Sequence, residues 1–153
     1  MVNINFKREG NPNEIQDFMS MASAEVLVGF PSGELHVTDN EVDEVVEMAE
    51  LAKELSFGTA KIPARPFIED GLKAHAEKLK KEIEKQVENA KENKANWDKV
   101  GAMAVGAVQE FVRGDYYKNT IPNSPQTIKN KSSDKPLINT ALLINSLEYV
   151  VEK

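Results

Sequence analysis

Trp97-Asp98-Lys99-Val100-Gly101-Ala102-Met103-Ala104-Val105-Gly106-Ala107-Val108-Gln109-Glu110-Phe111-Val112 carries apolar or small residues around almost the whole helical period. A helix at the surface of a domain shows one apolar stripe. Here Trp97, Val100, Gly101, Ala104, Val105, Ala107, Val108, Phe111 and Val112 nearly encircle the axis, which predicts a central helix covered by its neighbours. The rest of the chain then supplies the covering layers.

Working back toward the N-terminus, Phe67, Leu72, Ala76, Leu79, Ile83, Val87 and Ala90 form a narrow stripe on a segment otherwise rich in Lys and Glu. This predicts one long charged helix from Pro66, placed in its first turn, to about Asn93. Gly58, Pro63 and Pro66 interrupt 57–66, a connector that cannot be helical throughout. Val42, Val45, Val46, Ala49, Leu51, Ala52 and Leu55 predict another helix, capped near Thr38-Asp39-Asn40 and running to about Leu55. Ala24 to Phe30 reads as a strand, Glu34 to Val37 as its hairpin return, and Val2 to Phe6 as an earlier strand followed by a short helix containing Ile15, Phe18, Met19 and Ala22.

Toward the C-terminus, 114–136 is polar and contains Pro122, Pro125 and Pro136, so it reads as a long loop. Ile138 to Ile144 reads as a turn or two of helix, and 146–152 alternates like a strand. The expected fold is α+β, a single domain over 1–153. It has a small, mostly antiparallel sheet packed with helices, including the long charged helix and the central apolar helix.

With 153 residues, 41% hydrophobic and 29% charged, the chain has the composition of an ordinary globular protein. It contains no apolar run of about 18 residues, the length a membrane helix needs. The absence of cysteine excludes disulfides, thiolate ligands and a thiol nucleophile, and it fits a cytoplasmic protein. A net charge of −6 argues against nucleic acid as the main partner. The charge is uneven, however. Glu34, Asp39, Glu41, Asp43, Glu44, Glu47, Glu50 and Glu54 stand against Lys53 alone, whereas Lys118, Lys129, Lys131 and Lys135 stand against Asp134. Blocks of opposite sign suit head-to-tail association of copies, and equally suit two solvated surfaces.

The parts of an enzyme are missing from this pattern. His36 and His75 have no metal ligand or orienting carboxylate at helical or strand spacing and read as surface histidines. No Ser lies in G-x-S-x-G, and the eight glycines form no phosphate loop. The acids around Asp39 to Glu44 lack the offsets of a calcium loop and read as a helix face. No enzymatic activity, metal or cofactor is expected. The distinctive segment is Phe57-Gly58-Thr59-Ala60-Lys61-Ile62-Pro63-Ala64-Arg65-Pro66-Phe67. Its prolines stiffen the backbone around Arg65, and Phe57 and Phe67 are expected core anchors alongside Trp97 and Phe111; Arg65 reads either as a solvated side chain on a stiff connector or as the partner of a carboxylate within the subunit or on its neighbour.

The same segment resembles the "EFGT…IPARPF" signature of tail-completion and neck proteins of long-tailed bacteriophages and prophages. Val26-Leu27-Val28-Gly29-Phe30 is similar to that family's early "V-x-V-G-[IF]" strand. The stretch from Ser124-Pro125-Gln126-Thr127-Ile128-Lys129-Asn130-Lys131 through Lys135-Pro136-Leu137-Ile138 to Asn145-Ser146-Leu147-Glu148-Tyr149-Val150 is similar to its "LSPxTIxxK…KPLIDTGxLxNSIxYxV" ending. Asn139-Thr140-Ala141 departs from the usual Asp-Thr-Gly.

The resemblance implies a structural virion protein, without cofactor, that forms a ring, commonly a hexamer. The ring would sit at the head–tail junction, complete or terminate the tail, and join it to the head. Its partners would be itself, tail-tube or tail-terminator protein and head-connector protein, with DNA passing through the ring but no specific nucleic-acid site. It would be found in the bacterial host cytoplasm during assembly and then at the virion neck or tail end. A ring needs two different complementary faces. The acidic helix, with Glu44 and Glu47, and the basic loop, with Lys129, Lys131 and Lys135, are the candidate faces, and Arg65 is a further interface candidate. The alternative from the residues alone is a non-enzymatic regulatory or scaffold protein that binds a partner through the 72–90 helix.

Overall fold

The computed structural model describes residues 24–30, 35–37, 45–131, 134–137 and 142–152, with backbone only for 35–37 and 45–47. The expected N-terminal strand and helix, and the caps at Thr38 to Asn40, lie outside these residues. The architecture is α+β. In chain order the described elements are β1 (Glu25–Gly29), β2 (Leu35–Val37), β3 (Val45–Glu47), α1 (Met48–Phe57), α2 (Phe67–Ala74), α3 (Ala76–Ala90), α4 (Trp97–Arg113), α5 (Tyr116–Thr120), α6 (Pro125–Lys131), α7 (Leu142–Asn145) and β4 (Glu148–Glu152).

α4 is the centre, as its composition requires. Val100, Gly101, Ala104, Ala107, Val108 and Val112 are buried along it, and α2, α3, α7 and both strands of the β1–β4 ribbon pack on it. Asn96 caps its start, Oδ1 accepting from the Lys99 N–H at 3.3 Å. The main core joins Phe67, Val108, Val112, Tyr117, Leu143, Ile144 and Leu147 with Met48 and Ala52 of α1. Each fully buried large side chain there contributes about 1.5–3 kcal/mol of burial free energy. A second cluster of Val87, Trp97 and Val100 fills the junction of α3 and α4.

Among the described residues the strands form two separate antiparallel ribbons, β1 with β4 and β2 with β3. Val26 and Val28 of β1 pair with Val151 and Tyr149 of β4, and these inward residues cover α4. The expected hairpin return at 34–37 is corrected: β2 pairs with β3, His36 opposite Val46. The expected helix start near 38–40 moves with it. The β-branched pair Val45-Val46 extends into a strand, and the helix begins only at Met48.

The expected single helix over 66–93 is broken at His75, which holds φ −112°. Its backbone N–H turns to the Leu72 carbonyl at 3.3 Å, while its ring Nδ1 takes the Gly71 carbonyl at 3.1 Å. The side chain thus replaces the i→i−4 backbone bond that would have carried the helix through. The 114–136 loop is corrected too, because it contains α5 and α6. Ser124 Oγ accepts from the Thr127 N–H at 3.2 Å, and Pro125 opens α6 where no donor is needed.

Candidate functional site

The 57–67 connector folds as a rigid turn. Gly58 takes φ +76°, and a side chain there would collide with the backbone of Ile62 and Ala64. The Thr59 N–H donates to the Ile62 carbonyl at 2.8 Å, and Thr59 Oγ1 accepts from the N–H groups of Lys61 and Ile62. The Arg65 N–H then bonds back to the Leu55 carbonyl at 2.9 Å, closing the connector against the end of α1. Phe67 follows, wholly buried, with its ring edge-on to Phe30 at 6.3 Å.

That closure sends Arg65 inward, with 4% of its surface exposed. Nε and Nη2 both donate to the Ile121 carbonyl, at 2.9 and 2.8 Å. Nη2 also donates to the Pro122 carbonyl at 3.1 Å and to Asn123 Oδ1 at 3.4 Å. The expected carboxylate partner is therefore replaced by backbone carbonyls at the end of α5, which have no intrahelical donor of their own. Burial pushes the guanidinium below its ordinary value, and it has no described acid within ion-pair distance. Beside it, Tyr117 donates to Asp70 Oδ2 at 2.7 Å. Burial first, and then this bond to an anion, push the phenol far above its ordinary value.

The interface candidates that are described take different roles. Arg65 is an internal strut, because Pro63 and Pro66 fix a backbone path that turns its side chain into the subunit. Glu44 and the Glu47 side chain lie outside the described residues. Lys129 is exposed on α6, and Lys131 is half-buried at its end. Lys135 is engaged within the chain: Nζ donates to the Arg113 carbonyl at 2.8 Å and sits 3.5 Å from Asp115. Among the expected core anchors, Phe67 and Trp97 are buried, and Phe111 is half-buried against Tyr116 and Tyr117 at 5.0 and 5.6 Å. Phe57 is a correction, being 79% exposed. It lies nine positions after the buried Met48, about 900° of helical rotation, so it points to the opposite side of α1.

His75 is also not the surface residue expected. Its side chain is 15% exposed, and Nε2 lies 3.3 Å from Glu110 Oε2 of α4, a neighbour that sequence spacing does not reveal. No group of three or more metal-ligating side chains occurs among the described residues. No described helix is long and apolar enough to cross a membrane. A shallow groove of about 460 Å³ between α4 and β4 is lined by Val105, Gly106, Gln109, Leu147, Glu148 and Tyr149. The site missed by sequence reading is the 121–123 turn. Its signal was Ile121-Pro122-Asn123 lying just ahead of a Ser-Pro helix start. Compared with known proteins, the chain matches no family model, no curated protein and no solved structure.

Proposed function

We propose that this chain is a structural subunit of the head–tail junction of a long-tailed phage or prophage, assembling with copies of itself into a ring that completes the tail and joins it to the head. The observation that carries this reading is that the three sequence blocks behind the resemblance are joined to one another in the folded chain. Val26 and Val28 of the first block pair with Val151 and Tyr149 at the chain's end. Phe30 packs on Phe67 of the middle block, and Arg65 of that block holds the turn directly ahead of Ser124. Blocks that recur together in a sequence family are expected to be those that depend on one another in its fold.

The 72–90 stripe gives the alternative less support. Leu72, Ile83, Val87 and Ala90 are already packed in the chain's own interior or against it. For ring contacts, Glu50 and Glu54 of α1 and Lys129 of α6 remain exposed and of opposite sign. The test is electron microscopy and light scattering of the purified protein across a salt series, with co-purification of tail-tube protein. Rings that loosen as salt screens exposed pairs beyond about 8–10 Å support the reading. A monomer at every salt concentration that ignores tail-tube protein refutes it.

A further inference from the structure

The Arg65 junction has more donors than the described residues use. All four side-chain hydrogen bonds of Arg65 leave from Nε and Nη2, so the Nη1 arm of the fork makes none among the described residues. Asn123 turns its Oδ1 to Arg65, and its Nδ2 is buried without a hydrogen-bond partner among the described residues. Lys131, half-buried at the end of α6, has no ion pair or hydrogen bond among them either. Burial, and then the positive charge of Arg65, lower the affinity of its ammonium for the proton. The nearby Asp70 carboxylate is turned to Tyr117.

Two cations that repel one another therefore lie near an amide with no partner among the described residues. A buried polar group without a partner costs about 1–3 kcal/mol, and a second cation adds to that cost. Donors alone, with two positive charges and a planar fork, match one chemistry. We propose that Arg65, Lys131 and Asn123 together bind an oxyanion, supplied either as a carboxylate of a second copy of this chain or as free phosphate. Lys131 contributes charge, Nη1 of Arg65 and Nδ2 of Asn123 contribute direction, and the carbonyls of Ile121 and Pro122 hold Arg65 in place. The site does not depend on the virion reading, since any chain with this turn would carry it.

The side-chain amide of Asn123 reports on the site directly in a ¹⁵N–¹H spectrum of the full chain. Inorganic phosphate added at constant ionic strength moves that resonance saturably. Lys131→Gln weakens the apparent affinity roughly tenfold, the loss of one charge-assisted contact, and leaves the backbone spectrum in place. A resonance that also moves on dilution without phosphate, with phosphate driving copies apart, identifies the carboxylate of a second copy. Movement with phosphate but not with dilution identifies the free ion. No movement in either series, or an undiminished shift in Lys131→Gln, overturns the proposal.

Discussion

The ring of Tyr149 lies against the backbone of Gly101, so close that a Cβ on Gly101 would sit 2.1 Å from its Cδ2 and 2.5 Å from its Cγ. This contact sets how near the β1–β4 ribbon comes to the central helix. Glycine inside a helix costs about 1 kcal/mol relative to alanine, so the close approach outweighs helix propensity here.

Gly101→Ala should therefore lower stability by about 1–3 kcal/mol, the usual range for overpacking. In a Tyr149→Ala background the same substitution should become stabilising by up to about 1 kcal/mol. Urea melts of the four proteins in the cycle check the change of sign. A stabilising Gly101→Ala in the wild-type background would show that the ribbon does not pack there.

The two phenylalanines that frame the connector should behave oppositely. Phe67→Ala removes a fully buried ring and should cost about 3–5 kcal/mol. Phe57→Ala acts on a ring that is 79% exposed and should stay within about 0.5 kcal/mol of wild type. Thermal melts of both variants separate a buried anchor from an exposed one.

Tyr117→Phe leaves Asp70 without its donor and should cost about 1.5–3 kcal/mol, the range for a bond to a charged group. The pH dependence has a definite sign. Above the ordinary tyrosine value of 10.0 the unfolded chain gives up this proton while the folded chain keeps it. Wild-type stability should then fall as pH climbs past that point, and Tyr117→Phe should flatten the fall. An equal alkaline slope in both proteins would contradict the buried phenol.

At the acid end the relevant group is Glu82 on α3. Hydrogen bonds from Lys99 of α4 and from Gln86, the ion pair at 2.9 Å and the amide at 2.6 Å, hold its carboxyl below the ordinary value of 4.5. A depressed carboxylate contributes stability above that value and loses it as pH falls through the lower folded-state value. Glu82→Gln should be less stable than wild type at pH 7 and should lose less stability on acidification below 4.5. Denaturant midpoints at several acidic pH values measure the slope. No difference in slope would place Glu82 outside the α3–α4 junction.

Gln86 illustrates why part of this fold escapes a reading by pattern. It is 2% exposed, yet it sits on a segment whose composition is that of a solvated charged helix. Its Oε1 accepts from the Asn96 N–H at 2.8 Å, tying the end of α3 to the start of α4. Periodicity classifies Gln as surface, because the partner that satisfies it lies on another element. His75 escaped for the same reason, and so did the strand at Val45-Val46, where an apolar helical pattern and two β-branched residues point different ways.

The amino-acid sequence by itself determined that Trp97 to Arg113 is a covered central helix, that strands lie near 25–29 and 148–152, and that the chain between Gly58 and Pro66 is rigid and non-helical. Those features rest on local physics: side-chain periodicity, the missing proline N–H and the positive φ that glycine permits. Only the tertiary structure decided that β1 pairs with β4, that the hairpin expected at 34–37 joins β3 instead, and that Arg65 spans to Ile121 rather than reaching a carboxylate. Each of these joins residues far apart in the chain. A side chain's hydrogen-bond capacity can be read locally, but which distant group meets it is settled only by how the helices pack.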